Sequence, residues 1–140
     1  MGIKYCADRE KQIIFVVWDG MVTADSWFEH IDRLIADPLW PLISSMLVDL
    51  RTARDISSID EAEIDHAVAL FSTVPIPLSK KRVGIVAANA FWKSRRFGDL
   101  ISRFGASVIV FNELSTACAY LGIDAMEALK AIQQLRADVV

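Results

Sequence analysis

The chain has 140 residues, which is the usual size of one domain and is enough to bury a hydrophobic core. Hydrophobic residues make up 54% and charged residues 24%, with a net charge of −3, which argues against a disordered chain and against a strongly basic nucleic-acid-binding protein. No apolar run approaches the roughly 20 residues that span a bilayer, and the start "MGIKYCADRE" lacks the apolar segment of a secretory signal. We therefore expect one domain over residues 1–140, cytoplasmic and without a transmembrane segment.

The first part of the chain predicts a β-hairpin and a helix. "IKYCAD" alternates between apolar and polar residues, "QIIFVVWDG" is a longer apolar strand, and the polar residues between them suit a tight connection. Thr23 is placed to cap a helix, and Pro38 and Pro41 mark its end. The apolar face of that helix would carry Trp27, Ile31, Leu34 and Ile35.

The rest of the chain predicts parallel strands that alternate with helices. The runs "SMLVDL", "RVGIVAA" and "SVIVF" are typical of strands covered on both faces. The two helices between them would bury Ile64, Val68 and Phe71, and then Phe97, Leu100, Ile101 and Phe104. After Gly122, Asp124 would cap a last helix with Glu127 as its capping-box partner. The buried face of that last helix would carry Met126, Leu129, Ile132 and Leu135. The sequence thus predicts an α/β fold with a central mixed sheet, an N-terminal antiparallel hairpin followed by parallel strands, packed by helices.

Two serines lie between the strand "MLVDLR" and the helix "DEAEIDHAVALF". Ser58 and Glu61 have the S-x-x-E spacing of a capping box, in which the hydroxyl accepts a backbone amide of the first turn. This spacing predicts that Ser58 caps the helix. The alternative is a phosphorylation switch at Ser57 or Ser58, since a phosphate is tolerated at a helix start.

Several short motifs follow one another in this order: Gly20, Val22 and Thr23, then "DPLWP", then Val48, Asp49, Leu50 and Arg51, then "RVGIVAA" and "SVIVFNELSTACAYL". Together they resemble the SpoIIAA-like branch of the STAS superfamily over nearly the whole chain. The resemblance implies a mixed sheet with helices against it. Better-studied STAS relatives act as anti-sigma-factor antagonists or as regulatory domains of anion transporters, and some bind nucleotides or other small ligands. The antagonists carry a phosphorylatable serine in a D-S-S-G-like turn, where this chain has "ISSID" without the flanking Asp and Gly.

The resemblance therefore implies a non-enzymatic binding or regulatory module that recognises a protein partner or a small anionic or lipidic ligand. In open α/β sheets, ligands bind at the carboxyl ends of the strands, and "NAFWKSRR" adds cations to a helix start there. The candidate ligand-binding residues are Arg51, Arg54, Asn89, Trp92, Lys93 and Arg96, with Asn112 and Glu113 nearby. The alternative is that Asn89 is a helix cap, Trp92 packs on a neighbouring helix and the cations form a solvated face.

A second function class is a small, hydrolase-like enzyme that uses the strand-end groups Asp49, Arg51 and Arg54. No cofactor and no metal are expected, because His30 and His66 have no Cys or second His at ligand spacing. No nucleic-acid partner is expected either, because the cations of "SKKR" are too few in an acidic chain.

Aromatic side chains predict a homodimer. The chain has four Trp and seven Phe, and Trp27 and Phe28 point about 100° apart on one helix. Trp40, between two prolines, would be left bare on the surface unless it folds back over a helix end. Closed two-fold pairing is the commonest way to cover such a patch. Cys6 and Cys118 are isolated in the sequence and are expected to be small buried apolar groups.

Overall fold

Five strands and five α-helices follow one another in the computed structural model, which describes residues 2–73, 80–88 and 91–137. The strands are β1 (Gly2–Asp8), β2 (Ile13–Met21), β3 (Ser45–Asp55), β4 (Arg82–Val86) and β5 (Ser107–Phe111). The helices are α1 (Ala24–Ala36), α2 (Glu61–Ser72), α3 (Phe91–Ser102), α4 (Leu114–Leu121) and α5 (Ala125–Ala137). A short 3-10 helix (Trp40–Leu42) follows α1. No helix in these described ranges is long and apolar enough to cross a bilayer.

The strands form one mixed sheet in the order β1-β2-β3-β4-β5. β1 runs antiparallel to β2, and each later neighbour pair is parallel. The predicted α/β fold class is therefore confirmed, with the hairpin at one edge and β5 at the other. β2 and β3 are central strands, and all residues from Ile13 to Trp18 are buried because helices cover both faces of the sheet there.

Helices divide the core into two layers. Helices α1, α2 and α3 pack on what we call the three-helix face, where Val16 and Ile85 meet Ile31 and Ile64. Helices α4 and α5 pack on the opposite, two-helix face. Gly84 permits a close approach on that side, because a Cβ atom there would lie 3.3 Å from the Cδ1 atom of Leu121.

The caps read from the sequence are confirmed for three helix ends. Thr23 caps α1, with Ser26 N donating to Thr23 Oγ1 at 3.2 Å and Thr23 N donating to Ser26 Oγ at 3.1 Å. Helix α4 ends at Gly122, whose φ of 70° is left-handed. Asp124 caps α5 by accepting from Glu127 N at 3.2 Å. The Glu127 carboxylate, however, pairs with Lys11 at 2.7 Å instead of closing a capping box.

The predicted capping box of Ser58 and Glu61 is wrong. Helix α2 begins at Glu61 with Asp60 as its N-cap, and Asp60 N donates to Glu63 Oε1 at 2.9 Å. Ser58 Oγ instead accepts a hydrogen bond from the Ala24 amide at 3.1 Å, so it caps the start of α1. Helix α2 starts later than predicted because the Ile59 side chain is buried in the core. This burial keeps Ile59 outside the first turn of the helix.

Several burial expectations are also wrong. Met126 is exposed because Ala128 takes the inward position in the first part of α5, and Phe104 is exposed because α3 ends at Ser102. Cys6 is exposed, whereas Cys118 is buried as expected.

Trp40 is fully buried and packs against Phe71, with ring centroids 5.9 Å apart. Trp40 therefore folds into its own chain.

Candidate functional site

An apolar cavity of about 80 Å³ lies on the three-helix face, between the sheet and helices α1, α2 and α3. Its floor follows one row of residues in register across three strands, where Val16 pairs with Val48 and Val48 with Ile85. Valine side chains are short, so this row leaves space above the sheet that larger residues would fill.

Large rings frame this space. The Trp18 and Trp27 rings meet edge to face with centroids 5.6 Å apart, and Trp27 meets Phe97 in the same way at 5.4 Å. Ile31, Ile64 and Ile101 complete the walls from the three helices. Such rings hold one another at fixed angles and cannot collapse into the space as flexible side chains could.

His30 in the cavity wall is a neutral group at pH 7. It lies on α1, is 8% exposed, and contacts the Tyr5 ring edge to face at 5.6 Å. Burial lowers the pKa of His30 to about 4, and the positive charge of Arg33 is the second, smaller cause. The imidazole is therefore uncharged in the cavity wall at neutral pH.

Lys93 also lines the cavity, and its ammonium group is held by the chain segment that follows β3. Its Nζ atom donates to the Ile56 carbonyl at 3.0 Å and lies 3.9 Å from Asp60 Oδ1. The Lys93 side chain is 15% exposed, whereas that of Asp60 is 73% exposed. Among the described residues that line the cavity, Lys93 is the one that carries a charge at neutral pH.

Residues 56–60, which we call the cover loop, border the cavity at the carboxyl end of β3. The side chains of Ile56 and Ile59 line the cavity, and the loop is tied to two helices by side-chain hydrogen bonds. Lys93 joins it to α3 through the Ile56 carbonyl, and Ser58 joins it to α1 through the Ala24 amide. A molecule that enters here has to displace this loop.

The candidate ligand-binding residues do not form one cluster. Arg51 points to the two-helix face, where its Nε and Nη2 atoms donate to Asp49 at 3.0 Å each, whereas Lys93 lies on the three-helix face. Arg54 and Arg96 are exposed, and Trp92 is 55% exposed with Lys93 Nζ 5.6 Å from its ring centroid. Asn89 lies outside the described residues. Ligand binding by this set stays a prediction.

Asp49 is the centre of a buried ion cluster that the sequence reading missed in part. Besides the contacts from Arg51, its Oδ2 atom accepts from Arg136 Nη2 at 2.6 Å, and no part of the Asp49 side chain is exposed. The hydrogen bond to Asp49 raises the pKa of Arg51. The cluster ties α5 to β3. An aspartate inside an apolar strand signalled that a cation must lie nearby, but nothing in the sequence pointed to Arg136, 87 residues away.

Within the described part of the chain, no group of three or more His, Cys, Asp or Glu side chains is placed to hold a metal ion.

Comparison with known proteins identifies the fold. The crystal structure of an uncharacterized protein from Shewanella loihica PV-4, described as a DUF3478 family member with a SpoIIAA-like fold, aligns with a TM-score of 0.55 at 18% identity. The alignment covers 86% of this chain and 94% of that one. No family model matches the chain, and a comparison with curated protein sequences finds no match. The predicted SpoIIAA-like fold is therefore confirmed.

Proposed function

We propose that the protein is a non-enzymatic binding module that holds a small, largely apolar molecule in the cavity on the three-helix face. The cavity itself is the observation that carries this proposal. Native cores rarely keep voids larger than a water molecule, because the lining atoms lose their dispersion contacts. At roughly 24 cal/mol per Å³, the figure for a sealed void, about 80 Å³ of unfilled apolar space costs at most about 2 kcal/mol of stability. A bound apolar molecule would recover that free energy.

The size of the cavity limits the ligand. An engineered cavity of about 150 Å³ in another protein binds benzene. The present cavity, at about 80 Å³, is about half that size, so the closed form accepts only a few carbon atoms. A longer chain or a ring requires displacement of the cover loop, which is held by one side-chain hydrogen bond each to α1 and α3 and by the buried side chain of Ile59.

The test is a titration with the primary alcohols from propan-1-ol to octan-1-ol, followed by amide chemical shifts. Burial of one methylene is worth about 0.8 kcal/mol, so the dissociation constant should fall about fourfold with each added carbon until the cavity is full. The shifts should concentrate at the lining residues, Val48 and Ile85 among them.

A cavity-filling variant provides the control for this titration. Val48→Phe puts a ring into the cavity and should abolish binding of all the alcohols. Ile109→Phe makes a similar change at an exposed position of β5 and should leave binding intact. Wild-type protein without saturable shifts, or Val48→Phe with wild-type affinity, would contradict the proposal.

Recognition of a protein partner is the second proposed function. Trp92 supports it, because an indole that is 55% exposed offers a large apolar surface of the kind that is enriched at protein interfaces. Trp92 lies beside Lys93 at the start of α3, and the exposed Ser57 and Ser58 lie on the cover loop that Lys93 holds. We also propose that either serine is a phosphorylation site and that a homodimer forms through Trp92. The Trp40 side chain no longer supports the homodimer, because it is buried within the chain.

The hydrolase alternative gains no support from its proposed residues. Both oxygens of Asp49 accept hydrogen bonds from guanidinium groups, and the carboxylate is fully buried, so it is not open to a substrate or a water. Cys6 and Cys118 are free thiols, which is typical of a reducing compartment and supports the proposed cytoplasmic location.

A further inference from the structure

We propose that the molecule held in the cavity is a small carboxylic acid with an apolar chain or ring, and that Lys93 recognises its carboxylate. This inference rests on the proposed function, since it concerns the chemistry of the ligand in the same cavity.

The first argument is the charge in the cavity wall. Nearly all of the lining is hydrocarbon or aromatic, and the remaining polar side chains are His30, Ser94 and Lys93. His30 is neutral at pH 7 because burial lowers its pKa to about 4. Lys93 therefore gives the cavity a positive charge, which favours a ligand whose polar group is an anion.

The second argument is that the present partners of Lys93 leave its ammonium incompletely neutralised. One partner is an uncharged carbonyl, that of Ile56, at 3.0 Å. The Asp60 carboxylate is at 3.9 Å, beyond hydrogen-bond distance, and is 73% exposed to water, and the Trp92 ring centroid lies 5.6 Å away. A ligand carboxylate could approach to 2.7–2.9 Å and form a charge-assisted hydrogen bond, which is the stronger kind. With Lys93 only 15% exposed, water would screen that bond weakly.

The third argument is that this exchange of partners leaves no buried carbonyl unsatisfied. The Ile56 carbonyl also accepts a hydrogen bond from the Ile59 amide at 3.0 Å. When Lys93 turns to a ligand, Ile56 keeps that bond, so the cover loop loses its tie to α3 without leaving an orphaned polar group. Recognition of the carboxylate and displacement of the loop are thus the same event.

The experiment compares hexanoate, hexan-1-ol and hexylamine at pH 7 by amide chemical shifts. The three probes share one hydrocarbon chain and differ in charge, so differences in affinity report the polar group. Hexanoate should bind about tenfold more tightly than hexan-1-ol, and hexylamine should bind most weakly. In Lys93→Met, which keeps an unbranched side chain, hexanoate should lose this advantage while hexan-1-ol binds at least as tightly as it does to the wild type.

Two further variants make the result specific to the Lys93 ammonium. Lys93→Arg should retain part of the preference for hexanoate, because it preserves the charge. Arg95→Met changes the net charge equally at an exposed position of α3 and should retain the full preference. Binding of hexan-1-ol to each variant, with a single cooperative urea unfolding transition, would show that the cavity is intact.

The possible failures are distinguishable. Equal affinity of the wild type for hexanoate and hexan-1-ol would overturn the role of Lys93 and leave the proposed function standing. Equal losses of hexanoate affinity in Lys93→Met and Arg95→Met would also overturn it, because the preference would then come from net charge. Absence of binding for all three probes would overturn the proposed function and this inference together.

Discussion

Lowering the pH from 7 to 5 should destabilise this protein through His30. The imidazole is buried, and its pKa falls from 6.5 in the unfolded chain to about 4 in the folded one. Between these values the unfolded state binds one more proton than the native state, so the free energy of unfolding decreases as the pH falls. The contribution of His30 is fully present above pH 6.5 and is lost toward pH 4.

The size of the effect follows from the two pKa values. The difference between 6.5 and about 4 is worth about 3 kcal/mol in total, of which about 2 kcal/mol is already lost at pH 5. His30 is 8% exposed, so solvent screening reduces this value little. Carboxylates contribute mainly at lower pH. The hydrogen bonds from Ser57 lower the pKa of Asp55, for example, so that its contribution is lost below its usual range.

The assay is urea unfolding at several pH values between 7 and 5, in wild type and two variants. His30→Leu should unfold with nearly constant free energy across this range. His66→Gln, at an exposed position of α2, should keep the wild-type dependence. If wild type and His30→Leu lose stability in parallel, the assignment of the effect to His30 is refuted.

Three other outcomes follow from the contacts. Asp49→Asn should lower the free energy of unfolding by about 3 kcal/mol in the same urea assay, because two partly buried guanidinium groups lose their counter-charge. The control Asp99→Asn, at an exposed position, should change it by less than about 0.5 kcal/mol. Ser58→Ala should lower the free energy of unfolding by about 1 kcal/mol, because α1 loses a cap, and Glu61→Ala should change it little. Equal losses in the two variants would support the capping box of Ser58 and Glu61 on α2 instead. Light scattering over a dilution series should show a homodimer that Trp92→Ser weakens, and a constant monomer mass would refute self-association.

Features that depend on neighbouring residues could be predicted from the sequence. The caps at Thr23 and Gly122 follow from local hydrogen bonding and backbone conformation, and the apolar runs give all five strands. The α2 cap could not be chosen in this way, because both S-x-x-E at Ser58 and D-x-x-E at Asp60 fit the motif. Burial of Ile59 decides between them, and that is a tertiary contact.

The site was harder to predict than the fold. The position of Lys93 at a strand-end helix pointed to a ligand, but Arg51 was grouped with it although the two side chains lie on opposite faces of the sheet. Alternation along β3 places Arg51 with Asp49, and this could have been read from the sequence. The cavity could not, because it depends on how the rings of Trp27 and Phe97 fit above a row of valines.

The segments packed on the two faces of the sheet differ in how firmly they are held. On the two-helix face, displacing α5 breaks the contact of Arg136 with the fully buried Asp49 carboxylate and exposes the buried side chains of Ile132 and Leu135. On the three-helix face, displacing the cover loop breaks two hydrogen bonds, from Lys93 to the Ile56 carbonyl and from the Ala24 amide to Ser58, each worth about 1 kcal/mol, and it exposes the buried side chain of Ile59. We therefore expect the proposed ligand to enter beneath the cover loop, because the two-helix face lies across the sheet from the cavity.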